Sequence, residues 1–255
     1  MKTRLIFFFL TMLLATGQAQ DKTQDPAQNG DALISTKLVS ETLLEAEEFI
    51  GADELSNLFY MENQVLYRKS GQRIFSFSNV DLGAITTVDV GNPFKILLLY
   101  RDFNSVIILD NNLNELSQRL DFTDETQFNN VLFVGNSSQN NIWLYADDNK
   151  LHLYNYETLS EELQTQAMTF YEDDFTAQGL ASTFKRAWIQ SETEALEFNE
   201  DGNYVRTYPI AGAERIFPFQ RGILVLKEGT FEYYFEEERR MVKLNFKGTM
   251  KNVSV

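Results

Sequence analysis

Paired carboxylates are the plausible catalytic groups in this chain. A single histidine, His152, and no cysteine remove Ser-His-Asp and Cys-His arrangements, thiolate metal sites and disulfides. Glycoside hydrolysis needs just two carboxyl groups, one of them held neutral by burial. Asp53 and Asp89 are the pair best placed for it, because each follows a segment expected to line the inside of the fold. With 37 Asp and Glu in 255 residues chance pairs are common, so solvated rim carboxylates are the plainer reading. Asp110-Asn111-Asn112-Leu113-Asn114-Glu115, with Asp121 at the twelfth position, half resembles a calcium loop. It lacks the glycine at its sixth position and the closing Glu. There is no G-x-G-x-x-G, phosphate-binding loop, G-x-S-x-G or H-E-x-x-H motif. The residues point to a protein that is not an enzyme and takes no cofactor or metal.

The other chemistry open to carboxylates is recognition. Asp121, Asp124 and Glu125 lie in Asp121-Phe122-Thr123-Asp124-Glu125, and Glu172, Asp173 and Asp174 lie in Tyr171-Glu172-Asp173-Asp174-Phe175. Each run joins the end of one structural unit to the start of the next, which puts both on one face. Acids beside exposed aromatics there are candidates for docking a basic partner and speeding encounter, the alternative being a face that serves solubility. The chain as a whole has 22 Lys and Arg against those 37 acids, a net charge of −15. Phosphate backbones and anionic lipid surfaces are repelled by it, so neither nucleic acid nor direct membrane insertion is expected.

The elements that must position these groups come from a repeat. Five apolar segments recur: Leu58-Phe59-Tyr60, Leu98-Leu99-Tyr100, Trp143-Leu144-Tyr145, Trp188-Ile189-Gln190 and Leu224-Val225-Leu226. Their last residues stand 40, 45, 45 and 36 positions apart. Each is followed by a polar turn, a second β-rich segment, another turn and a more polar run such as Ile74–Phe77, Leu116–Leu120, Leu163–Ala167 or Tyr204–Tyr208. Ahead of each lies a further candidate strand, in several cases rich in small residues: Phe49–Ala52, Ile85–Val88, Val131–Val134, Ala177–Leu180 and Arg215–Phe217. Four strands per unit and five units predict an all-β chain folded as a five-bladed β-propeller with four-stranded blades. A β-sandwich or closed barrel is the competing architecture. Trp143 and Trp188 hold equivalent positions, which suits packing between blades better than a sugar platform. His152, between Leu151 and Leu153, reads as a hydrogen-bonded histidine on a blade surface.

The N-terminus carries an address. Lys2 and Arg4 precede the apolar run Leu5–Leu14, and Gly17 and Ala19 supply small residues for cleavage before Gln20. Ten apolar residues are too few to span a bilayer core of ~30 Å as a helix. Residues 1–19 therefore read as a signal peptide, 20–32 as a flexible linker and 33–255 as a single propeller domain. Loss of the leader removes Lys2 and Arg4 and takes the net charge from −15 to −17. Without cysteine there is no lipid-modified residue, so a periplasmic protein that is not a lipoprotein is expected. Residues 33–50 are compatible with an edge strand at Leu33–Val39 or with a short helix after Ser40.

Two stretches carry a family resemblance. Val90-Gly91-Asn92-Pro93-Phe94-Lys95-Ile96-Leu97-Leu98-Leu99-Tyr100-Arg101-Asp102-Phe103 and Asn140-Asn141-Ile142-Trp143-Leu144-Tyr145, with Asp147–Leu151 following, resemble small exported propellers of Gram-negative envelope bacteria. Within that group the chain is similar to the plug subunits of type 9 secretion translocons, which close the periplasmic mouth of a large outer-membrane channel. The resemblance implies a non-catalytic interaction module on an outer-membrane export or assembly complex, and supplies no active-site residues. A secreted carbohydrate-binding or carbohydrate-cleaving propeller is the alternative.

Overall fold

Runs of consecutive apolar residues arise where a strand is packed on both faces. In Ile96–Tyr100 every residue is buried, and alternate side chains go to different cores. Ile96, Leu98 and Tyr100 join Phe59 and Leu66 on one side, whereas Leu97 and Leu99 join Val134, Ile142 and Leu144 on the other. Trp143 and Tyr145 likewise pack against Ala187 and Ile189, and Trp188 turns the opposite way toward Ile216 and Val225. Each such Leu or Ile contributes about 1.5–3 kcal/mol of burial. These shared cores are what stack one blade on the next.

The computed structural model describes residues 4–5, 33–35, 42–44, 46–123, 130–219, 222–235 and 240–245. They form a five-bladed β-propeller of antiparallel blades. From the innermost strand outward, blade 1 is Glu48–Ala52, Leu58–Glu62, Val65–Ser70 and Arg73–Phe77. Blade 2 is Thr87–Asp89, Ile96–Tyr100, Ser105–Leu109 and Leu120–Asp121. Blade 3 is Val131–Asn136, Asn141–Ala146, Leu151–Asn155 and Ser160–Gln164. Blade 4 is Gly179–Ser182, Arg186–Gln190, Glu194–Asn199 and Tyr204–Pro209. Blade 5 is Arg215–Phe219, Gly222–Lys227, Thr230–Phe235 and Arg240–Asn245. The innermost strands crowd together: a Cβ on Gly135 in blade 3 would meet Ser182 Oγ of blade 4 at 2.7 Å.

Blade 5 has a fifth strand. Leu33–Ser35 pairs in parallel with Arg240–Asn245, Ile34 opposite Leu244. A few residues later Leu44 is buried beside Phe49 and Tyr60 of blade 1. The segment thus touches the last blade and the first, a clasp across the point where the ring closes. Of the two readings of residues 33–50, the edge strand is present at Leu33–Ser35, with 36–39 outside the described residues, and the helix after Ser40 is corrected: Thr42–Leu43 is a strand paired with Arg4–Leu5. Among the described residues, the apolar faces of blades 5 and 1 form separate clusters at this seam, whereas each of the other four interfaces is one continuous core.

Blade 2 corrects the sequence reading. Its outermost strand is Leu120–Asp121 rather than Leu116–Leu120. The Asp110 carboxylate accepts from the amides of Asn112 (2.7 Å) and Asn114 (2.9 Å), and Leu113 turns left-handed (φ 61°) to bury its side chain. Residues 110–119 are spent on this broad turn. In blade 3 the outermost strand ends at Gln164, before the expected Ala167.

Candidate functional site

Four antiparallel strands per blade sort the connections onto two faces. Links from second to third strand, and from one blade to the next, open on one face; turns from first to second and third to fourth open on the other. On the first face the described connecting residues include ten acids and two bases. The acids are Asp81, Asp102, Asp147, Asp148, Glu172, Asp173, Asp174, Glu192, Glu214 and Glu228, the bases Arg101 and Lys150. On the second face the turns next to the axis instead expose Leu55, Phe94 and Phe184, each more than half accessible. The described turns of this second face hold seven acids and three bases, so both faces are acidic, the first more strongly, and the second also carries an apolar rim.

The docking residues read from the sequence distribute unevenly. Asp121 is exposed at the end of blade 2, 3.2 Å from Arg119 Nη2, and its pKa is held below the usual carboxylate range chiefly by the Thr123 amide. Asp124 and Glu125 lie outside the described residues. Glu172, Asp173 and Asp174 lie in the loop leading to blade 4, which lies back across that blade's outermost strand. Thr207 Oγ1 donates to Glu172 at 3.2 Å, and the Tyr171 ring stacks on Tyr204 at 5.0 Å. Asp173 and Asp174 are exposed. Glu194 is drawn into the same cluster: burial first, then the neighbouring Glu172 carboxylate, pushes its pKa up.

The expectation of exposed aromatics flanking these acids is corrected. Phe122 and Phe175 are buried, because each plugs the core between two blades. The aromatic that does reach solvent is Phe170, 73% exposed and edge-on to Tyr171. Sequence reasoning missed it, since nothing in Met168-Thr169-Phe170 distinguishes an outward ring from an inward one.

Asp53 and Asp89, the carboxylate pair considered for catalysis, are both engaged by main-chain amides. Asp53 accepts from the amides of Leu55 and Asn57, fixing a turn. Asp89 stands in the central channel and ties three blades together. It accepts from Gly91 N (2.7 Å), Asn136 N (2.8 Å) and Ser182 Oγ (3.4 Å). Asp89→Ala is expected to cost about 1–3 kcal/mol by leaving these donors unmet, read as a lower urea midpoint by tryptophan fluorescence. An unchanged midpoint would show that the inner strands do not depend on it. Beside it Lys95 is buried and donates to the carbonyls of Ser137, Gln139 and Asn141. Burial pushes its pKa down to about 8, partly opposed by Asp89.

His152 is buried rather than on a blade surface, its ring nitrogens 3.1 Å from Asp148 and 3.4 Å from Glu161. Among the described residues no three His, Asp or Glu side chains gather as a metal site. No described helix is long and apolar enough to cross a membrane.

No family model matches the chain, and no curated relative does. Solved structures match by fold. A streptogramin B lyase superposes with a TM-score of 0.55 at 8% identity, over 80% of this chain and 71% of that one. A chain of the nidogen/laminin complex gives 0.55 at 10% identity, over 79% and 81%. BBS1N, in its complex with ARL6DN, gives 0.52 at 12% identity, over 79% and 67%. At these identities the likeness shows a propeller and nothing narrower.

Proposed function

We propose that this protein is a non-catalytic interaction module that docks a basic protein surface on its more acidic face. The observation that carries this reading is the excess of ten acids over two bases among the described connections of one face, against seven over three on the other. A field of that sign steers a positively charged partner and fixes its approach. The fold supports it in kind, since propellers of this shape occur in assemblies such as nidogen/laminin and BBS1N–ARL6DN. The leader-like residues 1–19 and the resemblance in residues 90–103 and 140–151 support an exported, periplasmic protein. On this reading it is held by an outer-membrane export or assembly complex and closes the periplasmic mouth of a type 9 translocon.

Affinity purification from gently solubilised envelopes should recover a large outer-membrane protein. Replacing Glu172, Asp173 and Asp174 together by Lys should reduce that recovery at least tenfold while the protein keeps a cooperative melt. Recovery of the unaltered protein solely as a free monomer would overturn the proposal.

A further inference from the structure

The mouth of the channel on the more acidic face holds a cavity of about 580 Å³, within the ~300–1,000 Å³ of small-molecule sites. Its wall includes Ile50, Met61, Ile85 and Val88, side chains of the core between blades 1 and 2. Of the acids around it, Glu47 accepts from Asn63 N at 2.8 Å, and Asp89, just below, is engaged by Gly91 and Asn136. Glu48 and Arg215 also line the cavity, both open to solvent, with the Arg215 charge favoured by those of Glu48 and Asp89. Among the described residues neither makes a side-chain hydrogen bond or an ion pair within 4.0 Å, with each other or with any third group. Arg215 comes from blade 5 and rests over the Phe217 ring at 5.6 Å, which leaves its donors free to meet a ligand.

The chemistry of an occupant follows. A simple anion entering to meet Arg215 would be repelled by Glu47, Glu48 and Asp89. A simple cation would meet Arg215, and a neutral apolar molecule would strip water from both charges without giving either a hydrogen-bond partner. We propose that this cavity binds a small zwitterion with an apolar body, of the amino-acid or short-peptide class, its carboxylate on Arg215 and its ammonium on Glu48. The cavity opens on the same face as the docking surface proposed above, but its binding is read without any protein partner, so the two proposals fail separately.

Calorimetric titration of the full chain tests this with leucine, the dipeptide Leu-Leu, and Leu-Leu blocked by N-acetylation or by C-terminal amidation. Leu-Leu or leucine should bind, and either block should weaken Leu-Leu at least tenfold. Arg215→Met and Glu48→Gln should each do the same to the free ligand. Equal affinity for leucine and Leu-Leu assigns a free amino acid; at least tenfold tighter Leu-Leu assigns a peptide. Absence of binding by every probe at millimolar concentration overturns the proposal. Blocked and free dipeptides binding alike overturns it too, and that comparison needs no variant to fold.

Discussion

A chain that stops at residue 239 is expected to lose its cooperative melt. The strand it lacks, Arg240–Asn245, sits between Thr230–Phe235 and the clasp strand Leu33–Ser35. Its loss removes Val242 and Leu244, both nearly inaccessible, and uncovers Tyr233, which faces Val242 across the ladder. It also leaves Leu33–Ser35 without the strand it pairs with. Two side chains at about 1.5–3 kcal/mol each, plus the lost ladder, rival the ~5–15 kcal/mol that holds a domain together. Blade 5 is where such a loss is least buffered, because among the described residues its face toward blade 1 is a separate cluster and not part of a continuous inter-blade core. Calorimetry and near-ultraviolet dichroism give the readout. A near-native cooperative transition in the truncated chain would show that the ring does not depend on closure there. Leu244→Ala alone should cost about 2–4 kcal/mol and lower the melting temperature without abolishing the transition.

The repeat is legible for a physical reason. A second strand buried on both faces must be apolar at consecutive positions, so Leu97-Leu98-Leu99 and Ile142-Trp143-Leu144 mark themselves in any reading of the chain. Outer strands are less visible because little burial constrains them. That is why Leu116–Leu120 looked like a strand until the Asp110 side chain captured two amides of the preceding turn. Charge was equally legible, since an acid in a link between blades lands on one face by topology alone. Aromatic direction was not: Phe122 and Phe170 both stand near acids, yet one plugs an inter-blade core and the other faces water. Sites assembled across the ring are invisible to local pattern. Glu48 and Arg215 are drawn to one cavity by ring closure, with nearly the whole propeller between them in sequence.

Glu197→Ala is expected to be among the most damaging single substitutions, at about 3 kcal/mol or more. Glu197 lies in the third strand of blade 4 and is fully inaccessible. Arg186 Nη1 donates to it at 2.6 Å, Arg206 Nε lies 3.3 Å away, and the Tyr208 hydroxyl donates to its second oxygen. Desolvating a carboxylate this far is tolerable only because two guanidinium groups and a hydroxyl meet it. Removing it leaves Arg186 and Arg206 facing each other, and takes away the acceptor that Tyr208 meets in its buried position. Both arginines keep some access to water, 39% for Arg186 and 28% for Arg206, so the cost falls at the lower end for breaking a buried pair. Glu197→Gln separates the two contributions. The amide retains an acceptor for Tyr208 but loses the charge, so its urea midpoint should fall between those of the parent and the Ala variant. Trp188 faces Glu197 across the ladder, and its fluorescence reports the same transition locally. Equal midpoints for parent and Glu197→Ala would mean that blade 4 holds by its apolar cores alone, and that the buried ion cluster is not needed for its stability.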